Sequence, residues 1–106
     1  MQGLQKASYV RHQLELSLDD YIVNDGWIGG GRDGSTTFAF TLGPVSDATV
    51  AALDDVAQER GTICLYCCRQ PLFFDPVAVK RQDLRTVRIV GRIVGGASDA
   101  LRTMVG

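Results

Sequence analysis

The chain has 106 residues, of which 45% are hydrophobic and 22% charged. That is the size and composition of one folded domain, and it excludes both two separate cores and wholesale disorder. No apolar run approaches the ~18 residues of a membrane span, and a net charge of −1 argues against bulk attraction to nucleic acid or anionic lipid. Met1-Gln2-Gly3-Leu4-Gln5-Lys6 lacks the apolar heart of a secretion signal, so the chain is expected to be made in the cytoplasm.

Residues 8–18 end in alternation. Leu14, Leu16 and Leu18 face one way and Gln13, Glu15 and Ser17 the other, which predicts a half-buried strand. Asp19-Asp20 interrupts it, and Tyr21-Ile22-Val23 continues it or adds a short piece. The stretch 24–34 holds five glycines in eleven residues, so an arm is expected there, either an open loop or a long hairpin. Trp27 and Ile28 lie in its middle. The tryptophan either folds back onto the core or waits for a partner, since aromatic residues are enriched at interface centres.

Residues 35–42 read as the clearest strand, with Phe38, Phe40 and Leu42 inward and Thr37, Ala39 and Thr41 outward, ended by Gly43-Pro44. A helix is predicted over 47–60. Ser46 is a suitable N-cap and Asp47 suits the positive end of the helix dipole. Val50, Leu53, Val56 and Ala57 form a narrow apolar stripe, so the helix packs on one side of a sheet. Asp54, Asp55, Gln58 and Glu59 form its wet side, and Gly61 stands where a left-handed cap glycine is expected.

Residues 62–69 predict a strand, with Cys64 and Cys68 on one face and Cys67 on the other. Gln70-Pro71 is expected to break it, and Asp75-Pro76 to cut the next piece, with Lys80-Arg81-Gln82-Asp83 a polar turn. A long strand follows over 84–94. Val87, Ile89 and Ile93 share one face, with a gap at Gly91, and Arg88 and Arg92 share the other with Val90 and Val94. Apolar residues on both faces predict partial cover on both. Gly95-Gly96 then leads to a tail in which Ser98 could cap a short helix. The expected fold is α+β: one domain over 1–106, a mostly antiparallel β-sheet or small β-barrel with one amphipathic helix packed on it. The glycine-rich arm at 24–34 and a C-terminal tail at 95–106 with freedom to move are its two loose segments.

No catalytic signature is present. Three clustered cysteines, Cys64, Cys67 and Cys68, are not a disulfide framework, and Cys64-x-x-Cys67 has no second pair to complete a metal site. They read as small buried hydrophobes. The glycine run Gly26-x-x-Gly29-Gly30-Gly31-x-x-Gly34 feeds a strand and not the helix that a phosphate loop needs. His12 is the lone histidine, and a hydrolase built on it or on a cysteine lacks support. Asp19-Asp20 and Asp54-Asp55 are neighbours whose side chains diverge, so they read as solvated charge. No enzyme, cofactor or metal is therefore expected.

Charge is unevenly distributed. Residues 1–13 carry +2, residues 14–59 carry −8 and residues 60–106 carry +5. One account is that both signs mix on the folded surface. The sharper one is a molecule with an acidic and a basic side, whose copies join head to tail into a ring. The interface residues expected from this are Trp27, Ile28, Arg32, Asp54, Asp55, Arg88 and Arg92. A second possibility is a small intracellular binding or regulatory module that meets an anionic partner through Arg69, Arg88 and Arg92.

One segment also resembles a known group. Thr36-Thr37-Phe38-Ala39-Phe40-Thr41-Leu42 precedes a helix with Val50-Ala51-Ala52-Leu53. Gly61-Thr62-Ile63-Cys64-Leu65-Tyr66-Cys67-Cys68-Arg69, an aromatic-rich turn and a long Val/Ile strand follow. Over about residues 36–94 this pattern resembles small β-rich minor tail proteins of long-tailed phages, including the ring-forming N-terminal domain of distal tail proteins. The resemblance implies a non-enzymatic virion building block, a tail, connector or baseplate component made in the host cytoplasm. Its partners would be copies of itself in a ring and neighbouring virion proteins, with the arm and tail ordered on assembly.

Overall fold

The computed structural model describes residues 13–30 and 34–96. The expected strand start at 8–12 with His12, Arg32 in the arm, and the tail beyond Gly96 with its Ser98-capped helix lie outside the described residues.

Among the described residues six strands and one helix follow one another: β1 (Gln13–Ser17), β2 (Ile22–Gly30), β3 (Thr36–Gly43), α1 (Asp47–Gln58), β4 (Thr62–Cys67), β5 (Gln70–Arg81) and β6 (Val87–Gly96). The strands form one sheet in the order β1-β4-β5-β6-β3-β2. Only β1 and β4 run parallel; the other four pairings are antiparallel. Among the described residues the sheet is not closed, so the expected α+β class is seen with an open sheet and a barrel is not shown. Its two edges, β1 and β2, are consecutive in the chain, joined through the 3-10 turn Leu18–Asp20, which is how Asp19-Asp20 interrupts the alternation.

One face of the sheet builds the core. Register places Phe38 opposite Gly91, Phe40 opposite Ile89 and Leu42 opposite Val87. Ile63 lies opposite Phe74 and Leu65 opposite Leu72. These side chains pack with Val50, Leu53 and Val56 of α1, so the predicted helix stripe and strand faces meet as one cluster. Phe38 and Phe40 stack with ring centres 4.4 Å apart, and Phe74 meets both rings edge-on at 6.0 Å.

Both ends of α1 are closed by local chemistry. Ser46 accepts the N–H of Thr49 at 3.2 Å, the expected N-cap. At the other end the expectation for Gly61 is corrected. Arg60, at φ 56°, takes the left-handed position, and Gly61 follows it and donates to Val56 O at 2.7 Å. Arg60 N–H donates to Ala57 O, completing the two-bond motif that ends many helices.

The second half of the sheet departs most from expectation. Gln70-Pro71 breaks nothing: a two-residue turn, Cys68-Arg69, joins β4 to β5, with both residues at positive φ (53° and 67°). Cys68 therefore leaves the strand and does not share a face with Cys64. β5 runs through both prolines. Pro76 is tolerated because a bulge between Pro76 and Ala78 shifts the β6 register there, and a bulge is where a strand can lack an N–H. Gly91 makes the bulge possible: a Cβ on it would lie 2.2 Å from Asp75 O. The turn falls later than expected, over Gln82–Thr86, and β6 begins at Val87. Gly95 and Gly96 do not start a tail. They end β6, opposite Phe73 and Leu72.

Candidate functional site

Alternation places everything that the core leaves out on the opposite, outer face of the sheet. One row across four strands is Trp27, Ala39, Val90 and Ala78. Beside it runs Asn24, Thr41, Arg88 and Lys80, and on the other side Gly29, Thr37, Arg92 and Asp75. An apolar row thus lies between two rows that bear cations.

The arm belongs to this face. Its first part is not an open loop but strand β2, paired along β3 as a hairpin, with a bulge between Asn24 and Trp27 where Asp25 takes φ 53°. The bulge returns Trp27 to the outer face, where the indole lies along its own strand over Gly29. A Cβ at Gly29 would be 2.3 Å from the ring, so only glycine leaves room for this pose. Trp27 is 55% exposed and Ile22, on the same face, 62%. Of the two expected fates for Trp27, it is not folded back into the core. Ile28 points the other way and packs half-buried against the core, so the structure does not bring it together with Trp27.

The arginines are oriented by neighbours. Arg88 Nη1 donates to Thr41 Oγ1 at 3.3 Å. Arg92 lies in register with Asp75, whose carboxylate accepts the Thr62 hydroxyl at 3.0 Å. The acidic residues of α1 lie on the other side of the sheet. Asp55 and Glu59 are exposed and Asp54 half-buried on α1, which covers the inner face. At the start of the helix, Asp47 pairs with Arg81 at 2.7 Å.

Two hollows flank these surfaces. A shallow, largely apolar groove of about 560 Å³ lies between Ile22 and Pro44 on one wall and Leu84 on the other. At its rim Asp83 accepts the N–H groups of Arg85 and Thr86. Hydrogen bonds to Thr86 and Arg85 hold the Asp83 carboxyl below the usual carboxylate range. The second, a cleft of about 360 Å³, opens where α1 ends and β4 begins, lined by Ala57, Arg60, Gly61, Asp75, Pro76, Val77 and Arg92. Sequence reasoning missed Arg60 and Asp75, because the turn at the helix end brings the first to the cleft and the β5–β6 register sets the second beside Arg92.

The expectation of small buried hydrophobes holds for two of the three cysteines and fails for Cys68, which sits in the β4–β5 turn. Cys64 and Cys67 are buried and Cys68 is exposed in its turn. Burial pushes the Cys67 thiol up to about 11, and a hydrogen bond with Cys64 raises the Tyr66 phenol. Among the described residues no three His, Cys, Asp or Glu side chains are grouped to hold a metal ion. No buried side-chain polar atom among them lacks a hydrogen-bond partner. What the arrangement offers is surface: exposed carboxylates on α1, Lys80, Arg88 and Arg92 on the outer sheet face, and an exposed tryptophan on that same face. Compared with known protein families, curated proteins and solved structures, the chain has no match.

Proposed function

We propose that the chain is a non-enzymatic assembly protein, a ring-forming component of a virion tail, connector or baseplate. The observation that carries the assembly reading is the separation of charge: Asp54, Asp55 and Glu59 on the helix side, Arg88, Lys80 and Arg92 on the outer sheet face. Opposite charges on opposite sides favour a head-to-tail contact, which is the kind that closes rings, over a two-fold contact that would set like against like. Trp27 supplies the apolar anchor that charge alone lacks. The resemblance of residues 36–94 to phage tail proteins supports the finer, virion reading.

Light scattering behind size exclusion at low and high salt tests this. A discrete oligomer that dissociates as salt screens the charges is expected. Trp27→Ala should weaken it while leaving the melting temperature unchanged, since the ring is not part of the core. A monomer at both salt concentrations overturns the proposal. The basic row Arg88–Lys80 then favours the second reading, a module for an anionic partner. That reading requires binding to a nucleic acid that falls steeply with salt.

A further inference from the structure

The apolar groove at one end of the sheet has Ile22 and Pro44 on one wall and Leu84 on the other. Leu84 is 86% exposed and Ile22 62%, so neither adds much to the core. Yet the turn that carries Leu84 is firmly held. Arg81 Nη1 donates to Leu84 O at 2.8 Å, and its Nη2 pairs with Asp47 at 2.7 Å. Asp83 accepts the N–H groups of Arg85 and Thr86. Gln82 N–H donates to Thr86 O and Val45 N–H to Arg85 O, both at 2.9 Å. A leucine on a turn fixed in this way is already in place when a partner arrives, so binding costs little further ordering.

The surroundings of the groove point to its occupant. Asn24 lines the groove and also begins the outer-face row that runs through Thr41 to Arg88 and Lys80. The groove is therefore continuous with the basic face. Thr86, in the groove wall, is two residues before Arg88, a step of about 7 Å in extended chain. The outward side of α1 has a matching spacing. Ala48 and Ala51 are exposed toward its N-terminal end, and Asp55 is exposed four residues after Ala51, about 6 Å along the helix. Small side chains at a contact let a helix axis come close to the surface beneath it. In this orientation the C-terminal end of α1, where the helix dipole is negative, lies over cations.

We propose that the groove seats α1 of a second copy, with Ala48 and Ala51 of that helix between Ile22 and Leu84, and Asp55 against Arg88. The choice of a second copy rests on the assembly reading above. The groove adds the direction in which the helix of one copy lies on the sheet of the next.

The test uses full-chain variants in light scattering behind size exclusion at low salt. Leu84→Ser and Ala48→Gln/Ala51→Gln should each melt as the native chain does, since the replaced side chains are exposed. Each should need about tenfold more protein to assemble. Each variant keeps one of the two surfaces intact. Mixed in equal amounts, at a concentration where each alone is monomeric, they should form one-to-one heterodimers and nothing larger. Asp55→Arg and Arg88→Glu should each weaken assembly, and the two combined in one chain should restore it. Unchanged assembly of Leu84→Ser or of Ala48→Gln/Ala51→Gln, a mixture that stays monomeric, or no recovery in the combined variant overturns the proposal. In those cases a native oligomer that dissociates with salt leaves the assembly reading standing. A native chain that is monomeric at both salt concentrations overturns both.

Discussion

At the scale of single residues, the most constrained position is Gly91. The bulge at Pro76 brings the β5 backbone so close that a Cβ on residue 91 would meet Asp75 O at 2.2 Å and the Phe74 ring at 2.7 Å. A backbone oxygen cannot swing aside as a side-chain tip can. Gly91→Ala should therefore destabilise the fold by about 1–3 kcal/mol, read as a lower urea midpoint at unchanged slope. An unchanged midpoint would show that the bulge can relax. The cysteines give a second residue-scale prediction. At pH 8 a thiol-alkylating reagent should modify Cys68 alone, because Cys64 and Cys67 are buried and reaction needs an accessible thiolate. Cys67 is pushed up to about 11 by burial. Its folded form thus binds the proton more tightly than the unfolded chain, whose thiol titrates near ~8.5. That contribution to stability is complete below the unfolded value and is lost as pH rises toward the folded one. Labelling of two or three thiols in the folded protein at pH 8 would contradict the assignment.

At the scale of elements, the sequence was legible wherever periodicity alone decides. Phe38-x-Phe40-x-Leu42, Val87-x-Ile89 and the stripe Val50, Leu53, Val56 all meet in the core as their spacing predicts. Legibility failed where a local signal was overridden by pairing. Proline and glycine normally punctuate strands, yet β5 holds Pro71 and Pro76, and β2 holds Gly26, Gly29 and Gly30. Bulges absorb the missing donor in one case, and the close lie of the Trp27 ring uses a glycine in the other. The outer-face site was legible only in part. Alternation placed Arg88 and Arg92 together, but the bulge in β2, which sends Trp27 out and Ile28 in, has no sequence signature beyond its glycines. The β4–β5 turn was invisible for another reason. Cys68 and Arg69 both adopt positive φ, and neither is a residue type that signals such a turn. Replacing the pair with Asn-Gly, which prefers that geometry, should raise stability by roughly 0.5–1 kcal/mol. Thermal unfolding checks this, and a lowered melting temperature would mean that the Cys68 or Arg69 side chain contributes more than its backbone costs.

At the scale of the whole molecule, the sheet separates two populations of charge that the sequence keeps in separate segments. The acidic residues of 47–59 lie on α1, which covers the inner face, and Lys80, Arg88 and Arg92 line the outer face. A head-to-tail contact between copies makes a specific demand on charge-reversed variants. In Asp54→Lys/Asp55→Lys both sides are basic, and in Lys80→Glu/Arg88→Glu both are acidic. Arg92 is left in place because Asp75 lies beside it in register. Each variant alone should be monomeric, since every possible contact sets like against like. Mixed in equal amounts they should assemble, because the basic helix of one faces the acidic sheet of the other, and the remaining two sides match as well. The copies must then alternate, so a closed ring can form only when the number of copies is even; an odd-numbered native ring would give open chains in the mixture. Native mass spectrometry reads both the alternation and the closure. Assembly of either variant on its own would remove charge as the determinant of register.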